Sequence, residues 1–244
     1  MSRISINTGG EPGITLDRVD FSYDGHKIIA GVSWELHQGQ NAVITGASGC
    51  GKSTFLQIAA GLLPTDKGSV LLAGHPVKKL LPSERLRRGL RTGFVFQDGG
   101  LFSNMDAHSN VSLALDYHRD LLELDDAMVE QRTKEALEAA RISKIHWHSL
   151  PAHLSFGDKK RLALARAFAL KPNFFFFDDP DVANDQLTAK ITHQVLCELR
   201  DDPAITLIVA TNRSNLIDRL GVPGFRLEGG QIRTNTTTSI FPSM

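Results

Sequence analysis

Three things are scarce in this sequence of 244 residues: long hydrophobic runs, cysteine, and an excess of charge of one sign. No run approaches the roughly 18 apolar residues of a membrane-spanning helix, and residues 1–13 lack the apolar stretch of a secretory signal. The two cysteines, Cys50 and Cys197, cannot build a disulfide framework and fit a reducing compartment. Lys and Arg together number 27, as do Asp and Glu, so nothing global indicates a nucleic-acid partner. Work at a membrane would therefore require a partner protein.

What the sequence does contain is an alternation of strand-like and helix-like segments. Short apolar runs typical of buried strands occupy 41–45, 174–177 and 205–210. Helices are expected at 52–60, directly after a Gly-rich turn, and at 185–200. Strands that alternate with helices favour an α/β core with a mainly parallel sheet.

Residues 46–53, Gly-Ala-Ser-Gly-Cys-Gly-Lys-Ser, fit the pattern G-x-x-x-x-G-K-[ST] between a predicted strand and a predicted helix. Glycines let the backbone curl so that several N–H groups face one phosphate, and the helix that follows points its positive end at it. Lys52 adds a charge on the outer phosphates, and the Ser53 hydroxyl is a Mg²⁺ ligand. The sequence therefore predicts a nucleoside triphosphate held by Gly46, Ser48, Gly49, Cys50, Gly51, Lys52, Ser53 and Thr54.

Asp178 follows four consecutive phenylalanines, a run that only a strand buried on both faces would tolerate. A P-loop protein needs a second element for its metal, and a buried strand that ends in a carboxylate is that element. We expect Asp178 to hold Mg²⁺ through water. Without the loop upstream, the better interpretation would be a surface acid after a core strand.

Several further stretches in matching order make residues 14–233 resemble the ATP-binding subunits of ABC transporters. The resemblance implies that the nucleotide is ATP and that Tyr23 stacks on its adenine. It also implies that Gln97, in the Q-loop, senses the γ-phosphate and is a ligand of Mg²⁺. Residues 154–161, Leu-Ser-Phe-Gly-Asp-Lys-Lys-Arg, resemble the LSGGQ signature and its downstream arginine.

In this family two subunits, identical or different, pack head to tail, so that the signature of one covers the ATP in the P-loop of the other. The resemblance therefore places Ser155 and Gly157 on the nucleotide of a second subunit, with the D-loop aspartate at Asp185. Asp179 occupies the position of the catalytic acid, and Asn212 that of the switch histidine. An integral-membrane permease is a further implied partner, and the chain would lie at the cytoplasmic face of the inner membrane.

The implied architecture is an α/β P-loop NTPase core with a mainly parallel sheet, antiparallel N-terminal strands and an inserted helical subdomain. We expect a single ABC ATPase domain over 1–244, with the core in 1–96 and 170–233, the helical subdomain in 97–169 and a flexible tail in 234–244. Translation factors with tandem domains fit less well, as do chromosome and DNA-repair ATPases, because this chain has one such domain and no long coiled coil.

A narrower resemblance concerns the cargo. Residues 96–102, Phe-Gln-Asp-Gly-Gly-Leu-Phe, are similar to the Q-loop segment of ATPases that serve Mce/Mla-type phospholipid transporters, and residues 110–111 and 177–180 fit the same group. This resemblance implies phospholipid transport and a periplasmic lipid-binding Mce protein as a partner. The ATPases of lipoprotein release and amino-acid import share much of the pattern, so these cargoes stay open.

Four residues depart from the family pattern at the hydrolytic machinery. Asp179 stands in place of a glutamate and reaches about 1 Å less far, a misplacement that can cost about 100-fold in rate. Asn212 stands in place of a histidine and carries no proton that it could give up at neutral pH. Phe156 and Asp158 replace a glycine and a glutamine of the signature. Asp158 has capping-box spacing from Ser155, and its charge offsets part of the helix dipole.

We therefore predict MgATP binding through Lys52, Ser53 and Asp178, with slow hydrolysis when the chain pairs only with itself. Harmless drift within an active enzyme is the alternative. A related hypothesis is an ATP-binding regulatory subunit whose partner is a competent ATPase. The basic run at 159–161 is interpreted as a solvated helix face rather than a nucleic-acid patch.

Overall fold

The computed structural model describes residues 4–5, 10–180, 186–213 and 215–235. Within them the strands are β1 (Ile4–Ser5), β2 (Pro12–Tyr23), β3 (His26–His37), β4 (Asn41–Thr45), β5 (Lys67–Leu72), β6 (His75–Pro76), β7 (Thr92–Val95), β8 (Phe174–Asp178), β9 (Thr206–Thr211), β10 (Gly224–Glu228) and β11 (Gln231–Thr234). The α-helices are α1 (Lys52–Ala59), α2 (Pro82–Arg87), α3 (Ala107–Tyr117), α4 (Asp126–Ala139), α5 (Phe156–Phe168), α6 (Gln186–Asp201) and α7 (Asn215–Leu220). The chain forms two compact units, Met1–Lys79 with Arg200–Met244, and Leu80–Leu199.

The first unit contains an antiparallel group of strands built around β2. Leu16 of β2 is the register partner of Trp34 in β3 on one side and of Val70 in β5 on the other, and all three side chains are buried. The alternation of apolar and polar residues in these strands buries one face of the sheet. The antiparallel N-terminal strands predicted from the sequence are thereby confirmed.

The first unit also contains the parallel strands that carry the Gly-rich loop. β4 pairs in parallel with β9 and with β10, and β10 continues into β11 through a hairpin. Gly229 and Gly230 form the hairpin turn with φ values of 57° and 73°, a conformation that glycine adopts without steric cost. Trp34 links the layers, because its ring packs edge-on against Phe55 of α1 and Phe225 of β10 at 5.5 Å each.

The second unit is built around the parallel pair β7–β8 and a group of helices. Phe94 is the register partner of Phe176, and the four phenylalanines 174–177 are all buried, as their sequence predicts. Helix α4 buries Val129, Ala136 and Leu137, and α5 packs against α3, α4 and β7. Among the described residues, no helix is both long and apolar enough to cross a membrane.

The flexible tail predicted at 234–244 overlaps the end of the β10–β11 hairpin. Thr234 is the last residue of β11, and the Asn235 N–H donates to the Gly224 carbonyl at 2.9 Å, so both residues are held by the hairpin. The remainder of the predicted tail lies outside the described residues. The proposed helical subdomain at 97–169 stays a prediction.

Candidate functional site

The Gly-rich loop connects β4 to α1 in the first unit. Gly49 and Gly51 have φ values of 76° and 101°, which side chains other than glycine rarely adopt. A Cβ on Gly46 would lie 2.5 Å from the Leu227 carbonyl oxygen, and one on Gly51 would lie 2.6 Å from a methyl of Ile28. Positions 46, 49 and 51 therefore require glycine. This requirement agrees with the curled phosphate-binding loop that the motif predicts.

Lys52 lies across this loop. Its ammonium donates to the carbonyls of Gly46 at 3.0 Å and Ala47 at 2.9 Å. The same residue begins α1, whose first N–H groups lack partners within the helix. A cation and a helix N-terminus at one curled loop suit a phosphate group. Of the other predicted loop residues, Ser48 and Gly49 are exposed, Cys50 and Ser53 are half-buried, and Thr54 is buried.

Asn212 follows the strand next to the loop. Thr45 and Thr211 are register partners in the parallel pair β4–β9, so Gly46 and Asn212 both leave the sheet at the same edge. Asn212 is exposed, and the chain bends there because the Arg213 N–H donates to the Thr211 hydroxyl at 3.1 Å. The fold thus brings the predicted switch position and the loop together.

Tyr23 ends β2 in the same unit. The residue is 46% exposed, and its ring packs edge-on against Phe21 with ring centroids 4.7 Å apart. An exposed aromatic ring held by a buried one suits stacking on a planar base.

In the second unit, the parallel pair β7–β8 brings Gln97 near two acids. Val95 is the register partner of Phe177, so Gln97 and the pair Asp178–Asp179 follow neighbouring strand ends. Gln97 is exposed, whereas both acids are buried. Asp179 has a φ of 46°, a left-handed conformation that Asp tolerates better than most residues.

The basic run on α5 is not the solvated helix face that the sequence suggested. Lys160 and Arg161 are each only 8% exposed. Lys160 donates to the Gln97 carbonyl, and Arg161 donates to the Thr188 hydroxyl at 2.8 Å. Burial lowers the pKa of Lys160, and the charges of Asp179, Asp98 and Asp178 oppose this change. The earlier interpretation is wrong because helix periodicity turns these two residues toward polar partners that are distant in sequence.

The signature segment forms its own hydrogen-bonded network. Ser155 caps α5, with its hydroxyl accepting from the Asp158 N–H at 3.0 Å and donating to Asp158 Oδ2 at 2.6 Å. Arg161 contacts the other carboxylate oxygen at 2.5 Å. Burial raises the pKa of Asp158, but the hydrogen bonds from Ser155 and Arg161 outweigh this effect and hold the pKa below its ordinary value. Phe156 is exposed at the start of the helix, and Gly157 is buried.

A groove of about 540 Å³ lies beside the Q-loop. Its walls are mostly apolar and include Phe94, Phe96, Phe102, Leu113 and Tyr117. Arg166 holds the adjoining loop by donating to the carbonyls of Gly99 and Gly100, and burial lowers its pKa. Such a contact cannot be inferred from sequence, because no spacing rule joins residues more than 60 positions apart.

The predicted metal ligands are a hydroxyl on Ser53, an amide on Gln97 and a carboxylate on Asp178. Magnesium prefers oxygen ligands and usually combines one or two carboxylates with phosphates and water. In the described part of the chain, no group of three or more His, Cys, Asp or Glu side chains could hold a metal ion. The predicted hydroxyl, amide and carboxylate are oxygen donors, the ligand type that suits Mg²⁺ bound together with a nucleotide. Asp185, the predicted D-loop residue, lies outside the described residues.

The chain is similar to a known protein family and to several known proteins. A family model described as ABC transporter matches residues 29–182. The chain is 30% identical over 242 residues to the spermidine/putrescine import ATP-binding protein PotA of Thermotoga maritima, covering 96% of this chain and 61% of that protein. It is 33% identical over 199 residues to the Fe(3+) ions import ATP-binding protein FbpC 2 of Rhodococcus jostii, covering 82% and 55%. The chain thus spans little more than half the length of these relatives.

Solved structures agree with the fold. A dimeric post-hydrolysis state of the ATP-binding cassette MJ0796, bound to ADP and Pi, superimposes with a TM-score of 0.80 at 27% identity, covering 91% of this chain and 98% of that one. A second dimeric structure of the same cassette gives a TM-score of 0.79 at 28% identity, covering 90% of this chain and 96% of that one. The predicted α/β fold of a P-loop nucleotide-binding cassette is confirmed.

Proposed function

Because this chain belongs to the ABC transporter family of ATP-binding proteins, we propose that it binds MgATP and pairs with a second ATP-binding subunit to drive a membrane permease. The observation that carries the proposal is the loop after β4, where glycines required by close contacts lie beneath the Lys52 ammonium. The dimeric state of the related cassette MJ0796 supports the pairing.

In this proposal, different residues bind the phosphates, the base and the metal. The loop N–H groups and Lys52 bind the phosphates, Tyr23 stacks on the base, and Ser53, Gln97 and Asp178 hold Mg²⁺. The metal supplies charge neutralisation on the outer phosphates. Asp179 orients the attacking water, and Asn212 donates a hydrogen bond to the γ-phosphate. Ser155 and Gly157 cover the nucleotide of the second subunit.

We further propose that hydrolysis is slow. The Ser155 hydroxyl is already engaged by Asp158, so it must leave that partner before it can donate to a phosphate. Asp158 also adds a negative charge where a triphosphate would approach. Asp179 is shorter than the glutamate of the family by one methylene, and Phe156 adds an exposed ring where the family has glycine. If the second subunit is a different chain with the complete catalytic residues of the family, this subunit is regulatory. The two ATP sites of the pair are then unequal in activity.

The groove beside the Q-loop is the proposed contact for the permease. Phe102 and Tyr117 expose large apolar surfaces at its rim, and such patches mark interaction sites. A short amphipathic helix of the membrane protein suits a groove with these walls. This contact would hold the chain at the cytoplasmic face of the inner membrane.

The cargo is the finer part of the proposal. Residues 96–102 support a phospholipid, with a periplasmic Mce protein as a further partner. The relatives described above are named for spermidine, putrescine and Fe(3+) import, so they do not single out a lipid. Proteoliposomes with the co-purified permease decide between these cargoes, because lipid transfer and solute uptake are separate measurements.

Calorimetry with ATP and Mg²⁺ tests the binding proposal. Failure to detect ATP binding while Mg²⁺ is present would contradict it. The pairing is tested by a disulfide between the native Cys50 of one subunit and Ser155→Cys of the other, with Cys197 replaced by Ser. We expect the crosslink only when MgATP is present. Cys50→Ser in the same background is the control, and a crosslink that survives it would refute the head-to-tail arrangement.

A further inference from the structure

Lys160 is a buried cation of the second unit, and none of the roles above uses it. It lies in the second turn of α5, and only 8% of its surface is exposed. An ammonium in such a position is costly unless charges and hydrogen bonds satisfy it. Its neighbour Lys159 has the same chemistry but is only half-buried.

The contacts of Lys160 connect three motifs. Its ammonium donates to the main-chain carbonyl of Gln97, which holds the start of the Q-loop. It also lies 5.6 Å from the centre of the Phe156 ring, the residue that replaces a signature glycine. A cation over an aromatic face is attracted to it, more strongly when both are shielded from water.

The same side chain reaches the acidic end of β8. Lys160 and Asp178 line one cavity of about 10 Å³, which holds no more than about one water molecule. The carboxylates of Asp179, Asp98 and Asp178 all act on the ammonium electrostatically. The Lys160 ammonium therefore lies within electrostatic reach of three carboxylates, next to two of the proposed Mg²⁺ ligands.

We propose that Lys160 is a positioning residue that ties the Q-loop to the acidic end of β8 and weakens the affinity of that end for divalent cations. This inference rests on the proposed function, in which Gln97 and Asp178 bind Mg²⁺. The ammonium acts in two separable ways. Its hydrogen bond fixes the Gln97 backbone, and its charge offsets part of the negative charge that attracts the metal.

Three variants separate these effects. Lys160→Met removes both the hydrogen bond and the charge, Lys160→Gln keeps a donor but removes the charge, and Lys160→Arg keeps both. Lys159→Met removes the neighbouring ammonium and serves as the matched control. The first readout is hydrogen exchange of the Gly99 amide in metal-free protein, because this N–H donates to the Phe96 carbonyl at 3.0 Å within the Q-loop turn. The second is Mn²⁺ affinity in the presence of ATP, measured by electron paramagnetic resonance.

We expect Lys160→Met to speed exchange at Gly99 by about tenfold or more, and to tighten Mn²⁺ binding by about three- to tenfold. Lys160→Gln should tighten Mn²⁺ binding with little change in exchange. Lys160→Arg and Lys159→Met should resemble the unmodified chain in both readouts. A residue that only supports the fold would weaken metal binding when replaced, never tighten it.

Unchanged exchange and unchanged Mn²⁺ affinity in Lys160→Met would overturn the inference, and so would weaker Mn²⁺ binding in both neutral variants. If Lys160→Met does not fold, Lys160→Gln alone decides the charge effect. Failure of the proposed function gives a different result: the unmodified chain then binds no Mn²⁺–ATP, while the exchange measurement still tests the tie to the Q-loop.

Discussion

The Ser155 hydroxyl donates a hydrogen bond to Asp158 Oδ2 at 2.6 Å, so the signature serine is occupied by a carboxylate of its own helix turn. The glutamine that the family has in place of Asp158 would carry no charge. The arrangement stabilises the start of α5, because an acid in the first turn suits the helix dipole. In the proposed pairing it would oppose nucleotide sandwiching, because a phosphate of the second subunit's nucleotide would need the same hydroxyl and the same space.

Replacing Asp158 by Gln should therefore destabilise the fold and favour dimerisation. We expect the free energy of unfolding to fall by about 1–3 kcal/mol, since Arg161 loses a charged partner while it stays buried. MgATP-dependent dimerisation, followed by analytical ultracentrifugation, should increase. Asp126→Gln is the control, because Asp126 is also a first-turn acid paired with an arginine but its side chain is 93% exposed. Unchanged dimerisation in Asp158→Gln would contradict this account of Ser155.

The same carboxylate predicts a pH dependence of stability. The pKa of Asp158 lies below its ordinary value in the folded state. Its contribution is therefore complete above the unfolded-state pKa and is lost as the pH falls through the lowered folded-state pKa. We expect the stability difference between the unmodified chain and Asp158→Gln to be full near pH 7 and to shrink toward about pH 3. Urea unfolding at several pH values measures it, and a difference that grows on acidification would show the wrong sign.

Asp179 and Asn212, the two residues that depart from the family pattern at the proposed reaction centre, should limit the rate of hydrolysis. Asp179→Glu combined with Asn212→His is expected to raise kcat by about tenfold or more with little change in KM, since about 1 Å of misplacement can cost about 100-fold. Asp179 adopts a left-handed backbone conformation, so Glu there should cost about 1 kcal/mol of stability. Steady-state phosphate release measures the rate. An equal kcat in the unmodified chain and the double variant would support harmless drift instead.

Lys52 should control nucleotide affinity without supporting the fold. Its ammonium contacts only loop carbonyls among the hydrogen bonds described above, and charge-assisted contacts to phosphate contribute about 1.5–3 kcal/mol. Lys52→Ala is thus expected to weaken MgATP binding by about 10- to 100-fold in calorimetry, with thermal unfolding nearly unchanged. Lys78→Ala, at an exposed position of the same unit, is the comparison. Equal affinities in the two variants would count against the phosphate cradle.

Tyr117 should matter for the membrane partner and not for stability. Tyr117 and Ile145 are both 80% exposed in the second unit, but only Tyr117 lines the groove beside the Q-loop. We expect Tyr117→Ser to lower the amount of permease that co-purifies from membranes, by about tenfold if the ring is an interface anchor. Ile145→Ser should leave it unchanged. Stability should change by no more than about 0.5 kcal/mol in either variant. Equal losses of co-purified permease in both variants would show that the groove beside the Q-loop is not the contact for the permease.

Local patterns were sufficient for much of this protein. The loop after β4, the buried strand that ends in Asp178, the hairpin at Gly229–Gly230 and the cap at Ser155 all depend on residues close in sequence. Their dihedral angles and short-range hydrogen bonds follow from residue type and spacing, so the sequence alone identified the cassette and its nucleotide loop. Asp185 lies outside the described residues, and its role stays a prediction.

Tertiary structure decided the rest. Whether Lys160 and Arg161 face water or the interior depends on partners at Gln97 and Thr188, which a run of three basic residues does not encode. The position of Asn212 beside the loop depends on the register of β4 with β9, a pairing of segments more than 160 residues apart. Burial and charge neutralisation are properties of the assembled unit, because they are set by which side chains long-range packing brings together.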